Sequence, residues 1–290
     1  MQQTQPPLWS SLDALPAPAA GLHRYLLVNQ AALKGERTLL ARLSRLERRP
    51  LFGLGDDSCL DGATPFVIRI DFSVNFRSIL RDLANAACYA CALSQIDTSL
   101  EIGQFADALT RRSEVLLPDG MSMLLRFFDT RILMPLLDVL TDDQRIAFLS
   151  CARDWWYADR EGAMVPSLCP TWAGADTFAP PLKLSAGQER AMIDASEADA
   201  VIDFVGSRGR HPLFDAPYPQ RYPIVRALID RAHHWGLENI PDLAAFVTVA
   251  LSTSSDFDML PPWSELLPQV KAKGLTFRAA LDQVRNKEGR

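Results

Sequence analysis

From residue 22 to residue 128 the chain alternates short runs of period-two hydrophobicity with longer runs of helical period, the pattern of helices layered on a sheet. Residues 22–29 and 65–71 read as strands, the second because Phe66, Ile68 and Ile70 alternate with Val67 and Arg69. Residues 88–95 are strand-like as well, and residues 51–53 give a short extended piece before a turn-rich loop at 56–63. Residues 31–49 carry Leu39, Leu40, Leu43 and Leu46 at helical spacing and stop at Pro50, which cannot continue a helix. Ser73 is placed to cap a second helix whose Phe76, Ile79, Leu80, Leu83 and Ala87 share one face, and residues 100–112 supply a third. The sharpest local signal is the pair of apolar runs 115–117 and 121–128 around Pro118-Asp119-Gly120, which predicts a β-hairpin. Asp129 or Thr130 then starts a helix to Leu140, and Thr141 caps another with Asp142 and Asp143 in its first turn.

Two stretches lack any period. Residues 1–20 contain Pro6, Pro7, Pro16 and Pro18 and read as a flexible leader, while residues 161–184 hold four further prolines and read as a connection. Residues 185–290 are helical in pattern almost throughout, with Ser185 and Thr276 at helix starts and Gly236 at a helix end. The expected fold is α/β of the α+β kind: a mixed-sheet lobe with flanking helices over 21–160, then a smaller all-helical lobe over 185–290.

Composition narrows the function classes. The chain has 30 Lys+Arg against 35 Asp+Glu, a net charge of -5, the wrong sign for coating nucleic acid. A hydrophobic content of 48% supports a substantial core, yet no apolar run reaches the ~20 residues of a membrane helix, so membrane insertion is not expected. The five scattered cysteines and the lack of a basic-then-apolar opening point to a cytoplasmic, reducing setting. Five arginines between Arg37 and Arg49 stand behind the apolar stripe of residues 31–49 and read as a solvated helix face.

No local motif carries catalysis. Cys88 and Cys91 are spaced as a metal pair, but no second pair accompanies them, and strand alternation sends the two thiols to opposite faces. His233 and His234 are adjacent, about 100° apart on a helix, and do not make a chelate. The Gly53-Leu54-Gly55 and Gly206-Ser207-Arg208-Gly209 stretches lack the Lys and Ser or Thr of a phosphate loop, and no Gly-x-Ser-x-Gly elbow occurs. Neither a cofactor nor a metal is expected.

Leu116-Leu117-Pro118-Asp119-Gly120, followed by Leu124-Leu125-Arg126-Phe127-Phe128-Asp129-Thr130-Arg131, resembles the central signature of the type VI secretion adaptors, the effector chaperones also called Tap or Tec proteins. Tyr25-Leu26-Leu27-Val28, Pro50-Leu51-Phe52-Gly53 and Thr64-Pro65-Phe66-Val67 resemble flanking stretches of that family, and Trp155-Trp156 follows the signature helices as its tryptophans do. Thr130 stands where the family usually has proline. The resemblance implies a non-enzymatic protein that binds a secreted toxic effector in the cytoplasm and helps load it onto the VgrG spike or a PAAR-containing tip. The competing expectation is a small-molecule hydrolase or transferase with its site between the lobes.

Within the signature, Arg126 sits among apolar residues, and a buried cation needs an acid, so Arg126, Asp129 and Arg131 are expected to brace hairpin to helix. Cargo is expected at aromatic residues outside a periodic core position. Trp155, Trp156 and Tyr157 are consecutive, so either at least one faces a partner or all three cover the lobe junction; Trp172, Phe178, Phe214, Tyr218 and Tyr222 lie in or beside Pro-rich connections. An apolar groove or an open sheet edge is the expected receptor for an effector segment.

Overall fold

In the computed structural model, which describes residues 7–33, 35–52, 64–70, 74–167, 172, 174–207, 211, 213 and 216–288, β1 (His23–Val28) is an inner strand of a six-stranded sheet. The sheet runs β2 (Arg48–Pro50), β3 (Phe66–Arg69), β1, β4 (Leu93–Thr98), β7 (Asp154–Ala158), β8 (Met164–Pro166), and each neighbouring pair is antiparallel. Strand alternation gives it two apolar faces. Tyr25, Leu27, Val67, Ile96 and Trp155 point into one core, which α4 (Ile102–Arg111), α5 (Thr130–Val139) and α6 (Asp142–Leu149) complete. Leu26, Val28, Phe66, Ile68 and Leu93 point into the other, under α1 (Pro7–Asp13), α2 (Arg37–Leu43) and α3 (Val74–Ala87). A smaller sheet places β5 (Glu114–Leu116) between β6 (Ser122–Leu124), antiparallel, and β9 (Leu182–Lys183), parallel. The architecture is α+β, and the mixed sheet is the small one.

Several sequence expectations are corrected. The leader is not wholly loose: α1 buries Leu8, Trp9 and Leu12, and Arg77 and Arg81 lie over the Trp9 ring at 5.9 and 5.2 Å. About two amphipathic turns are too short to register against four prolines. The single helix expected at 31–49 is a 3-10 turn (Gln30–Leu33), α2 and β2, because Gly35 takes φ 107 and breaks the run, and Arg48 stacks over Phe66 at 5.2 Å along the sheet edge. Residues 88–91 form a turn with Tyr89 at φ 66 and Cys91 at φ 49, so β4 begins later than expected and the two thiols are not set by strand alternation. Residues 161–184, expected as a connection, carry β8 and β9. The loop at 56–63 and the Ser73 cap lie outside the described residues.

The chain divides into two compact units, 1–194 and 195–290, with the boundary inside α7 (Ala186–Gly206). Ser185 caps that helix, its hydroxyl accepting from the Gln188 N–H at 3.3 Å. The second unit continues with α8 (Tyr218–His234), α9 (Ile240–Ser252), α10 (Trp263–Lys271) and α11 (Phe277–Glu288). Phe246 meets Phe257 at 4.7 Å and Phe277 at 6.1 Å, and Trp263 packs on both partners. Asn239 and Thr276 cap α9 and α11 through bonds of 2.9 and 3.2 Å, and Gly236 ends α8 at φ 79.

Candidate binding surface

The β5–β6 hairpin closes on Pro118-Asp119-Gly120 as the sequence requires. Gly120 has φ 85, its N–H donates to the Leu117 carbonyl at 3.0 Å, and the Asp119 carboxylate accepts from the Met121 N–H at 2.9 Å. After β6 the chain turns inward, burying Leu125, Phe127 and Phe128. Asp129 then caps α5: its Oδ1 accepts from the Arg131 N–H at 3.1 Å, and its carboxylate holds the Arg131 guanidinium at 3.0 and 2.8 Å. The brace therefore joins Asp129 to Arg131. Arg126 is exposed, with its guanidinium over the Phe128 ring at 5.7 Å; it lies beyond the end of β6, where the chain buries Leu125, Phe127 and Phe128 and leaves the arginine outside. The burial expected of Arg126 does not occur.

The aromatic run becomes β7, and the sheet separates its members. Trp155 is 1% exposed and packs edge-on against Phe127 at 6.1 Å and stacked with Phe148 at 6.3 Å. Trp156, on the other face, lies 5.6 Å from the Arg24 guanidinium. Tyr157 is half-buried, and burial raises its phenol pKa. Phe178 belongs to the core of the first unit, edge-on to Phe148 at 5.9 Å and beneath the Arg112 guanidinium at 4.8 Å. Tyr218 is buried in α8 and stacks with half-buried Tyr222 at 6.0 Å. Trp172 is half-buried, and Phe214 lies outside the described residues. Trp155, Phe178 and Tyr218 thus spend their surface on packing rather than on the cargo contact expected of them, because Pro-rich or unpatterned surroundings conceal burial.

Among the described residues, large apolar side chains are exposed at several places, Met259 and Leu260 included, and three of them gather at β6 and the turn before it. Met121, Met123 and Leu124 are 55%, 52% and 55% exposed, and among the described residues β6 is an edge strand paired only with β5. The Leu117 N–H donates to the Met121 carbonyl at 2.9 Å and the Leu125 N–H to the Ser113 carbonyl at 2.7 Å. That register turns the backbone groups of Ser122 and Leu124 outward. Edge strands are ordinarily protected by charge, proline or a bulge, whereas this one offers apolar side chains on both faces with a free ladder. The apolar run 121–128 therefore divides: Leu125, Phe127 and Phe128 enter the core, and the methionines beside the turn are where the hairpin leaves it.

Residues 24–147 match the family model DUF4123, a domain of unknown function. The matched segment runs from β1 to α6, contains the β6 edge and the Asp129–Arg131 brace, and covers less than half of the chain. No curated protein and no solved structure matches.

Two buried ion pairs hold the matched segment, and neither is local in sequence. Arg24 donates from Nε and Nη2 to the two Asp97 oxygens at 2.7 Å each, across neighbouring strands β1 and β4. Arg112, 0% exposed, donates to the Phe148 carbonyl at 2.6 Å, the Ala108 carbonyl at 2.7 Å and the Asp176 carboxylate at 2.5 and 3.1 Å. Burial works to raise the Asp176 pKa, but the Arg112 hydrogen bonds and charge, helped by the Phe178 N–H and the Ser150 hydroxyl, outweigh it and hold it at about 2. Asp176 lies beyond the matched segment, so the second pair ties residues 174–178 to it. Cys91 is buried, its thiol pushed up to about 12 chiefly by burial, and the half-buried Cys88 is raised by the same cause. Among the described residues no group of three or more His, Cys, Asp and Glu is placed to hold a metal ion, and no helix is long and apolar enough to cross a membrane.

Proposed function

We propose that the protein is a non-enzymatic adaptor of type VI secretion, which binds a toxic effector in the cytoplasm and helps load it onto a VgrG spike or PAAR-containing tip. The observation that carries the reading is the coincidence of the adaptor-like signature, inside the DUF4123 match, with the exposed apolar edge at Met121, Met123 and Leu124. An effector segment added in extended form would satisfy the outward ladder groups of Ser122 and Leu124 while covering those side chains. Each large apolar side chain so buried contributes about 1.5–3 kcal/mol before ordering costs.

The test is co-expression with the proteins encoded beside it. An adaptor co-purifies with one of them as a stable complex and raises its solubility. The double substitution Met123→Asp, Leu124→Asp is expected to weaken that capture at least about tenfold while leaving stability within about 0.5 kcal/mol, the usual range for exposed positions. Absence of any complex with a neighbouring effector or spike protein removes the adaptor reading; a complex indifferent to the double substitution removes β6 from it.

A further inference from the structure

A cavity of about 240 Å³ opens between α1 and α3 over the sheet face that carries Arg24. Its walls are apolar: Leu12 and Leu15 from α1 and the turn after it, Ile70 beyond β3, and Phe76 and Leu80 from α3. Its floor is polar, formed by Arg24 and Gln95, which are 5% and 2% exposed. Asp13 and Arg77 stand at the rim, joined by two bonds of 2.8 Å. Nothing in the signature or in the β6 edge uses this site.

The charges around the cavity cancel in pairs. Arg24 is matched by Asp97 through two bonds of 2.7 Å, and Arg77 by Asp13. A carboxylate or phosphate entering the cavity would meet no uncompensated cation among the described residues that line it and would have to displace Asp97, leaving that acid buried and unpaired. The floor is nevertheless not inert. With its amide oxygen turned to Arg24, Gln95 accepts from Nε and Nη1 at 3.2 and 3.3 Å. That orientation also turns the Gln95 NH₂ to an acceptor, so the donors of the floor are the guanidinium N–H groups on Nη1 and Nη2 that Asp97 and Gln95 do not take. Trp156 covers the guanidinium at 5.6 Å, which fixes its plane.

We infer that the cavity is a binding site for a neutral, ring-sized apolar group that ends in a hydrogen-bond acceptor, of which a phenol is the simplest case. Size agrees: an apolar cavity of about 150 Å³ holds benzene, and the 240 Å³ here leaves room for ring substituents. Volumes for whole drug-sized ligands begin near 300 Å³, so one ring is the appropriate load. The same chemistry is available from a free aryl alcohol or from a tyrosine side chain of a docking protein. The site stands whether or not the chain is an adaptor, because the titration below uses the protein alone.

The experiment is a titration of the full chain, ¹³C-methyl labelled, with p-cresol, toluene and p-toluate. p-Cresol is expected to shift the Leu12 and Leu80 methyl resonances to saturation. Toluene, which lacks the acceptor, and p-toluate, which carries an unmatched charge, are each expected to bind about tenfold more weakly. Leu80→Trp fills the cavity and is expected to abolish the shifts; Gln95→Leu removes the amide that orients the Arg24 guanidinium and is expected to change the preference for p-cresol over toluene several-fold. Should Leu80→Trp fail to fold, the Gln95→Leu comparison decides alone. No saturable shift with p-cresol, a preference for p-toluate, or an unchanged p-cresol preference in Gln95→Leu overturns the inference. The source is read in two further arms: a small aromatic released on denaturing the protein purified from its own cells identifies a free ligand, and loss of partner capture in saturating p-cresol identifies a partner side chain.

Discussion

Asp176→Asn tests the account of the Arg112 site most directly. The Arg112 guanidinium is wholly buried, and Asp176 is the acid that balances it, with further bonds from Arg111 at 2.9 Å and Ser150 at 2.9 Å. The Asp176 pKa falls from an ordinary 3.8 to about 2 on folding. At about 1.4 kcal/mol per pH unit, a depression of that size is worth about 2 kcal/mol of stability. Because the folded value is the lower one, that stability is fully present above pH 3.8 and is lost as the pH falls through 2. Converting Asp176 to asparagine removes the charge but keeps the shape, leaving Arg112 with neutral acceptors alone. The expected loss at pH 7 is about 3 kcal/mol, since the remaining charge stays buried. Urea unfolding of both proteins at pH 7, 4, 3 and 2 measures it. The difference between them should shrink as the pH drops, because only the wild type has this proton to gain. A difference that stays constant from pH 4 to pH 2 would refute a depressed Asp176, and ¹³C titration of the wild-type carboxyl gives an independent reading.

Two further outcomes follow from packing and burial. Trp155→Ala empties a site wedged between Phe127 and Phe148 and should cost about 3–5 kcal/mol, seen as a large fall in melting temperature; a melting temperature near wild type would return Trp155 to the list of surface residues. Cys91, its thiol raised from 9.0 to about 12, should resist iodoacetamide at pH 8 in the native protein and react once unfolded, the thiolate fraction differing about a thousandfold. Peptide mass mapping after timed alkylation reads this, and rapid native labelling of Cys91 would contradict its burial.

What was legible in the sequence is what short-range chemistry decides. Pro118-Asp119-Gly120 makes its hairpin because the turn is satisfied by Gly120, Asp119 and their immediate neighbours. Thr141 forms its cap with Gln144, and Ser185 with Gln188, within a single turn. The helical pattern after residue 185 and the strands at β1 and β3 follow from periodicity that each segment carries alone. Asp129 was legible too, as a cap, because its partner Arg131 is two residues away.

The tertiary structure decided everything that depends on distant residues meeting. Arg24 finds Asp97 only because β1 and β4 are adjacent, and Arg112 finds Asp176 only when residues 174–178 fold back on α4 and α6. Arg126 carries the same guanidinium as these two and lies in a more apolar run than either, yet it is the one left in water. The path of the chain after β6 chose its side, and no property of the residue records that path. The same holds for surface and core among the aromatic and apolar residues: Trp155 is buried and Met123 exposed because one lies in an inner strand between two covered faces and the other on an uncovered edge. Hydrophobicity fixes how much free energy a side chain gains when covered; the chain's long-range pairing fixes what is there to cover it.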